Sequence, residues 1–357
     1  MPVEMKRLLV TGAAGFLGSS LCRALVAEGH RVVGIDNLSS GSLANLKPIA
    51  DEPRFRFIEA DITEPLSIAE PVDGVFHLAC PASPLFYDAR PLETALTASF
   101  GTKNVLDVAR ANGATIVTTS TSEVYGQPVE HPQPEHYTGN VHPMGPRAPY
   151  VEGKRFAETL FAIYRRQFGI DTKVVRVFNT YGPCMRLDDG RVISAFLSSI
   201  SDQQPITIHG DGSQTRSFCY VDDLIEGLLR LSETGRDVSG PVNLGGTDEI
   251  TVKDLARLVN GIAAVPSPVA FVPARPDDPV RRQPDVSLAQ SLIGWQPTTP
   301  LIEGLTRTLE HHGIPTIPVA RDGSNLPKGI DGIVCRATLS ERRSPVIVDR
   351  ANSGLYN

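Results

Sequence analysis

Thr11-Gly12-Ala13-Ala14-Gly15-Phe16-Leu17-Gly18 decides how this chain is read. The octet follows a short apolar run, Leu8-Leu9-Val10, and opens a segment in which Leu17, Leu21 and Leu25 recur every four residues. That order predicts a strand, a glycine turn and a helix. With no Cβ at positions 12, 15 and 18, a pyrophosphate can approach the helix N-terminus and the helix can lie close on its sheet. The ligand implied is a dinucleotide. Arg31-Val32-Val33-Gly34-Ile35-Asp36 reads as the next strand and ends in an acid positioned for a ribose 2′-hydroxyl, which favours NAD over NADP.

Working outward, short apolar strands are expected at about 54–58, 73–79, 114–119 and 173–178, alternating with helical stretches at 92–112 and 149–168. This is an α/β layout, a doubly wound parallel sheet of Rossmann type. Beyond about residue 180, Gly, Pro and Asp become frequent and shorter helices are expected at about 190–203, 221–233, 251–264 and 301–312. The expected organisation is an NAD-binding domain over 1–180, to which later segments return, a smaller substrate lobe over 181–312, and a tail over 313–357. The tail's only strand-like run is Pro345-Val346-Ile347-Val348.

Composition narrows the partners. Among 357 residues, 41% are hydrophobic and 21% charged, ordinary for a globular chain. A net charge of −6 argues against a general nucleic-acid binder, which needs basic surface to displace counterions. The five cysteines, at 22, 80, 184, 219 and 335, lack the close pairing of zinc sites and disulfide frameworks, so reduced thiols in a cytoplasmic protein and no metal are expected. Lys6-Arg7 before Leu8–Leu17 faintly resembles a signal peptide, but the three glycines and the continuing βαβ pattern make it the first sheet strand. No apolar run reaches membrane-spanning length.

Two further stretches carry chemistry. Tyr150-Val151-Glu152-Gly153-Lys154 sets a phenol and an ammonium four residues apart, hence on one helix face. The cation is expected to lower the tyrosine pKa from about 10, making a phenolate accessible near neutral pH. Thr119-Ser120-Thr121-Ser122-Glu123-Val124-Tyr125-Gly126 begins where an apolar strand ends, at the edge that faces the ligand crevice of an open α/β sheet. A hydroxyl there can hold a reacting alcohol, and Glu123 can act as a base or orient water.

Together these stretches resemble the extended short-chain dehydrogenase/reductase (SDR) family over roughly residues 6–312. Longer matches resemble its UDP-glucuronate decarboxylases: His77-Leu78-Ala79-Cys80-Pro81-Ala82-Ser83-Pro84, the stretch 119–126, and His131-Pro132-Gln133-Pro134-Glu135. So do Gly139-Asn140-Val141, Gly145-Pro146-Arg147, Glu152-Gly153-Lys154-Arg155 and Phe178-Asn179-Thr180-Tyr181-Gly182-Pro183. Asp188-Asp189-Gly190-Arg191-Val192, residues 210–218 and Arg281-Arg282-Gln283-Pro284-Asp285 complete the set. Related 4,6-dehydratases typically carry Asp at the middle of Thr121-Ser122-Glu123.

The resemblance implies oxidation at the sugar C4 by NAD+, loss of CO2 from the resulting β-keto acid, and return of the hydride to give UDP-xylose. It implies catalytic roles for Tyr150, Lys154, Thr121, Ser122, Glu123 and Arg282. Cofactor contacts are implied at Gly12, Gly15, Phe16, Leu17, Gly18, Asp36, Asn37, Asp61, Ile62, Leu78 and Ala79, with Tyr150 and Lys154. Substrate contacts are implied at Tyr87, Glu123, Asn179, Arg191, His209, Arg216 and Arg282, the last either on the diphosphate or as the acid that protonates C5. A homodimer through a four-helix bundle of 92–112 and 149–168 is also implied. The chain departs from the family pattern at Val151 (usually Asp), Cys184 (usually Arg), Thr138 (usually Trp) and Ala98 (usually Asn). The competing readings are a nucleotide-sugar 4,6-dehydratase or 4-epimerase, and a non-catalytic NAD-binding protein.

Overall fold

The computed structural model describes residues 4–274 and 280–318. The strand-like run 345–348, Cys335 and most of the expected tail lie outside them. The first six strands, β1 (Arg7–Thr11), β2 (Arg31–Asp36), β3 (Phe55–Glu59), β4 (Gly74–His77), β5 (Thr115–Thr121) and β6 (Thr172–Val177), join one sheet. A seventh, Val242–Leu244, adds beside β6, and the spatial order is 242–244, β6, β5, β4, β1, β2, β3, every pair parallel. Strand order reverses between β1 and β4. The crevice at their C-terminal ends is where such sheets bind ligands.

The strands read as unbroken apolar runs because both faces are covered. Leu8 and Val10 of β1, with Phe76 and Val117, pack in one core with Leu21 and Leu25 of helix α1 (Phe16–Ala27). Leu9, Val75 and Ile116, pointing the other way, pack with Val105, Leu106 and Phe161. The period-two pleat thus sends alternate residues of one strand into different cores.

Four helices carry the chain around the second face: α2 (Pro84–Ala89), α3 (Pro91–Leu96), α4 (Thr102–Asn112) and α5 (Ala148–Phe168). The single helix expected over 92–112 is broken by a π-helical turn at Thr97–Gly101. Around it, Ser99 donates to the Ala95 carbonyl and Thr102 to the Ala98 carbonyl, each at 2.7 Å. Such back-bonding competes with the regular ladder and bends helices. Ala98 faces Gly153 of α5, where a Cβ on the glycine would come within 2.8 Å of the alanine Cβ. Small residues on both sides let the two helices touch.

The later chain does not form one separate block. Helix Val221–Ser232 packs on α1 and the sheet, and Trp295 seals it by donating to the Asp223 carbonyl at 2.8 Å. Helices Val192–Ser201, Val252–Ile262 and Leu301–His311 appear close to the expected positions, with Ser287–Ile293 additional. Two short pairings, Ile206–His209 with Val269–Val272 and Thr215–Ser217 with Glu249–Thr251, build the far wall of the crevice.

Candidate active site

At the sheet's switch point a cleft of about 530 Å³ runs from the glycine turn to the far wall. Its size suits a small-molecule site. Gly12 adopts φ +74°, and a Cβ there would lie 2.8 Å from the Ala79 nitrogen. Helix α1 starts at Gly15 with no side-chain cap, so its first N–H groups face the cleft as an anion seat. Asp36, at the end of β2, accepts hydrogen bonds from the Ala14 N–H at 3.0 Å and the Leu38 N–H at 2.8 Å. Burial raises its carboxyl above the usual range, and these backbone donors oppose the shift. Asp61 is held below the carboxylate range: burial works against this, but Thr63 and Asn37 donate to it, Asn37 at 2.9 Å. Phe16, Leu17, Gly18, Ile62, Leu78 and Ala79 complete this half of the lining.

The middle of the cleft is built by β5 and α5. Tyr150 and Lys154 are both 5% exposed, and the Lys154 ammonium donates to the Thr119 carbonyl at 2.7 Å. The Thr121 side chain hydrogen-bonds the Tyr150 phenol and accepts from the Glu123 N–H at 3.2 Å. The expected depression of the Tyr150 pKa is not found. Burial pushes the phenol well above the ordinary tyrosine value, Cys80 and Glu123 add to the shift, and Thr121 and Arg191 oppose it. Desolvation of the anion outweighs the neighbouring cation. Beneath this layer His77 is pushed down to about 3 by burial and by the charge of Lys154. Its neutral ring sits between the Thr11 and Thr102 hydroxyls at 2.8 and 3.0 Å, tying β1 to α4.

The floor and far wall carry charge. Glu123 stands between two guanidiniums, Arg147 at 3.9 Å and Arg282 at 4.0 Å. Arg191 pairs with Asp189 at 3.0 Å, Arg216 donates to the Thr215 carbonyl at 2.7 Å, and Asn179 donates to the Ser217 carbonyl at 3.4 Å. His209 lines the outer end, with Nδ1 3.3 Å from the Pro273 carbonyl. Glu123 Oε2 is buried in this lining without a hydrogen-bond partner. Native proteins leave few such atoms, and a cleft that takes a polar ligand accounts for it.

The description of the NAD dependent epimerase/dehydratase family fits residues 8–245. The chain belongs to that family. Within it, UDP-glucuronic acid decarboxylase 3 of Arabidopsis thaliana is 49% identical over 300 residues, 84% of this chain and 86% of the relative. UDP-glucuronic acid decarboxylase 1 of Danio rerio is 44% identical over 308 residues, 86% and 73% of the two chains. The crystal structure of a Bacillus cereus UDP-glucuronic acid 4-epimerase with UDP-glucuronic acid and NAD is 28% identical with TM-score 0.75, covering 85% of this chain and 98% of that one.

As a member of the epimerase/dehydratase family, the chain uses NAD. Its residues fit that cofactor: an uncapped helix start for the pyrophosphate, and Asp36 at the end of β2 for the ribose. Every residue expected at the cofactor or in catalysis lines the same cleft, and so do Asn179, Arg191, His209 and Arg216. Tyr87 differs. It is 1% exposed, does not line the cleft, and stacks on the Tyr150 ring at 5.1 Å and 8°. Val151, one of the departures, packs in the same small cluster. Cys184, at φ +67°, accepts a hydrogen bond from Arg23 of α1 at 3.2 Å. The cleft also includes Arg147 and Cys80, to which the sequence assigned no role. Arg147 could have been found: it lies three residues before Tyr150, at the start of the same helix.

Proposed function

We propose that this chain converts UDP-glucuronate into UDP-xylose and CO2 through a 4-keto sugar, with the cofactor restored in each turnover. The observation that carries the reading is the convergence of Tyr150, Thr121 and Glu123 on one cleft that runs from the glycine turn to Arg216. NAD, when bound, supplies the acceptor and donor of the C4 hydride. Tyr150 takes and returns the proton of the 4-hydroxyl, Thr121 orients that hydroxyl, and Lys154 stands on the same helix face as the phenol. The 4-ketone is β to the C5 carboxylate, so it accepts the electrons released as CO2 leaves. Ser122 and Glu123 position the ring or a water molecule, and Arg282 contacts the diphosphate or delivers the proton to C5. Guanidiniums at Arg191 and Arg216 suit phosphate oxygens, and His209 flanks the uracil.

Incubation with UDP-glucuronate and NAD is expected to release CO2 and a UDP-pentose with no net NADH. A product of unchanged mass would replace the reading with a 4-epimerase, and water loss from a nucleotide hexose with a dehydratase.

A homodimer through α3, α4 and α5 belongs to this reading. Leu92, Phe100 and Phe156 are 70%, 60% and 49% exposed on these neighbouring elements, an apolar surface that a second copy would cover. Leu92→Glu with Phe100→Glu is expected to turn a wild-type dimer into a monomer by light scattering, through loss of about two central apolar contacts per chain. A wild-type monomer at micromolar concentration would remove the dimer from the account. Four free thiols, at Cys22, Cys80, Cys184 and Cys219, support a cytoplasmic, reducing setting.

A further inference from the structure

The stretch His131-Pro132-Gln133-Pro134-Glu135 supplies no residue to the cleft lining, yet it lies against the segment that carries Arg282. Gln133 is 0% exposed, and its backbone makes one parallel rung with Pro284. The Gln133 N–H donates to the Gln283 carbonyl and the Asp285 N–H donates to the Gln133 carbonyl, each at 2.9 Å. In a regular parallel ladder the Gln283 N–H would go to the carbonyl of residue 131. The side chain of Gln133 takes it instead, Oε1 accepting at 2.9 Å while Nε2 donates to the Glu130 carbonyl at 2.9 Å. Every hydrogen-bonding group of this buried glutamine is thereby used, and only Nε2 binds outside residues 283 and 285.

On its other side the Arg282 segment is held by the strand Thr215–Ser217. There the Thr215 N–H donates to the Val280 carbonyl at 3.0 Å and the Ser217 N–H to the Arg282 carbonyl at 3.4 Å. The backbone thus changes partner at Arg282, from that strand to Gln133. Asn243 closes the frame: its Nδ2 donates to the Gln133 carbonyl at 2.9 Å and to the Asp285 carbonyl at 3.1 Å, and its Oδ1 accepts from the Tyr125 hydroxyl at 2.8 Å. Tyr125 ends the turn Ser122–Tyr125 that carries Glu123. The buried Gln133–Asn243 pair therefore holds both backbones whose side chains, Glu123 and Arg282, stand 4.0 Å apart in the cleft.

We propose that Gln133 is a positioning residue that sets where Arg282 stands against Glu123 and the bound sugar nucleotide. The proposal rests on the reading above in which Arg282 acts on the substrate, and adds the residue that keeps it in place. A carboxamide suits the task because it carries an acceptor and a donor on one planar group, as a peptide does. A buried N–H that loses its acceptor is costly, so the backbone at residue 283 shifts to relieve it. Arg282 is its neighbour in the chain, and a displacement of about 1 Å at a group that orients substrate costs about 100-fold in rate.

The test is a double-mutant cycle between Arg282→Gln and Gln133→Met, which keeps the side-chain volume and loses the amide. Gln133→Met alone is expected to lower kcat/KM for UDP-glucuronate on the order of 10–100-fold, with the Kd for NAD within about 3-fold of the wild type. In the Arg282→Gln background the same change should cost no more than about 3-fold, because the guanidinium it displaces is already gone. Losses that multiply independently would overturn the proposal and make Gln133 a packing residue, and so would wild-type activity in Gln133→Met. If Gln133→Met does not fold, Gln133→Asn, one methylene too short to reach residue 283, takes its place in the cycle under the same criteria. A wild type that binds UDP-glucuronate but releases no CO2 would sink the proposed reaction. The cycle is then read in the Kd for UDP-glucuronate, where non-additive losses support the Gln133 assignment and independent ones overturn it.

Discussion

Tyr150→Phe is expected to lower kcat on the order of 10²–10⁴-fold while NAD still binds with wild-type affinity. The ring stays, so its stack on Tyr87 and the fit of α5 against β5 are kept. Only the oxygen that exchanges a proton with the sugar is removed. Activity within a few-fold of the wild type would exclude the phenol from the chemistry. The same variant reports the ionisation of Tyr150. Because burial raises its pKa in the folded chain above the unfolded value of about 10, the proton is held more tightly when folded. Stability assigned to this group is therefore present below about pH 10 and lost as pH rises beyond it. In the cofactor-free protein, the tyrosinate absorbance difference between wild type and variant should appear only above that pH. A difference that titrates near neutral pH would restore the phenolate expected from Lys154.

Gly18→Ala is expected to abolish measurable NAD binding and to destabilise the fold by about 1–3 kcal/mol or more. A Cβ at this position would lie 1.9 Å from the Gly12 carbonyl oxygen and 2.7 Å from its carbon. Both contacts are backbone, so no rotamer change relieves them. Either the glycine turn opens or α1 moves off the sheet, and each displaces the seat for the pyrophosphate. Gly113→Ala is the control. Its site has nothing within 4 Å of a Cβ and only the cost of φ +62°, about 1–2 kcal/mol, with NAD affinity unchanged. Thermal melts and NAD titration of both variants read the difference, and a Gly18→Ala protein that binds NAD normally would contradict the close approach.

The βαβ start, the positions of the first six strands along the chain and the Tyr150/Lys154 pair were legible from residues alone. Each is written in short-range pattern: the pleat alternates every second residue, the helix returns every 3.6, and the glycine turn occupies eight positions. Those patterns are local, and folding leaves them in place.

Other features depend on neighbours that are remote in sequence. Val242–Leu244 becomes a seventh strand only because β6 leaves an edge open, and the π-helical turn at Thr97–Gly101 depends on hydroxyls that compete for specific carbonyls. The stacking of the Tyr87 ring flat against Tyr150 is likewise set by packing between elements remote in sequence. Lys154 reads as the group that acidifies the phenol, whereas burial of the phenol pushes its pKa up. Residues 123, 147 and 282 meet at one floor although no periodicity links them. Charge and solvation act through space, so which cation faces which acid, and how much water reaches either, is decided only when strands and loops from distant parts of the chain close around the cleft.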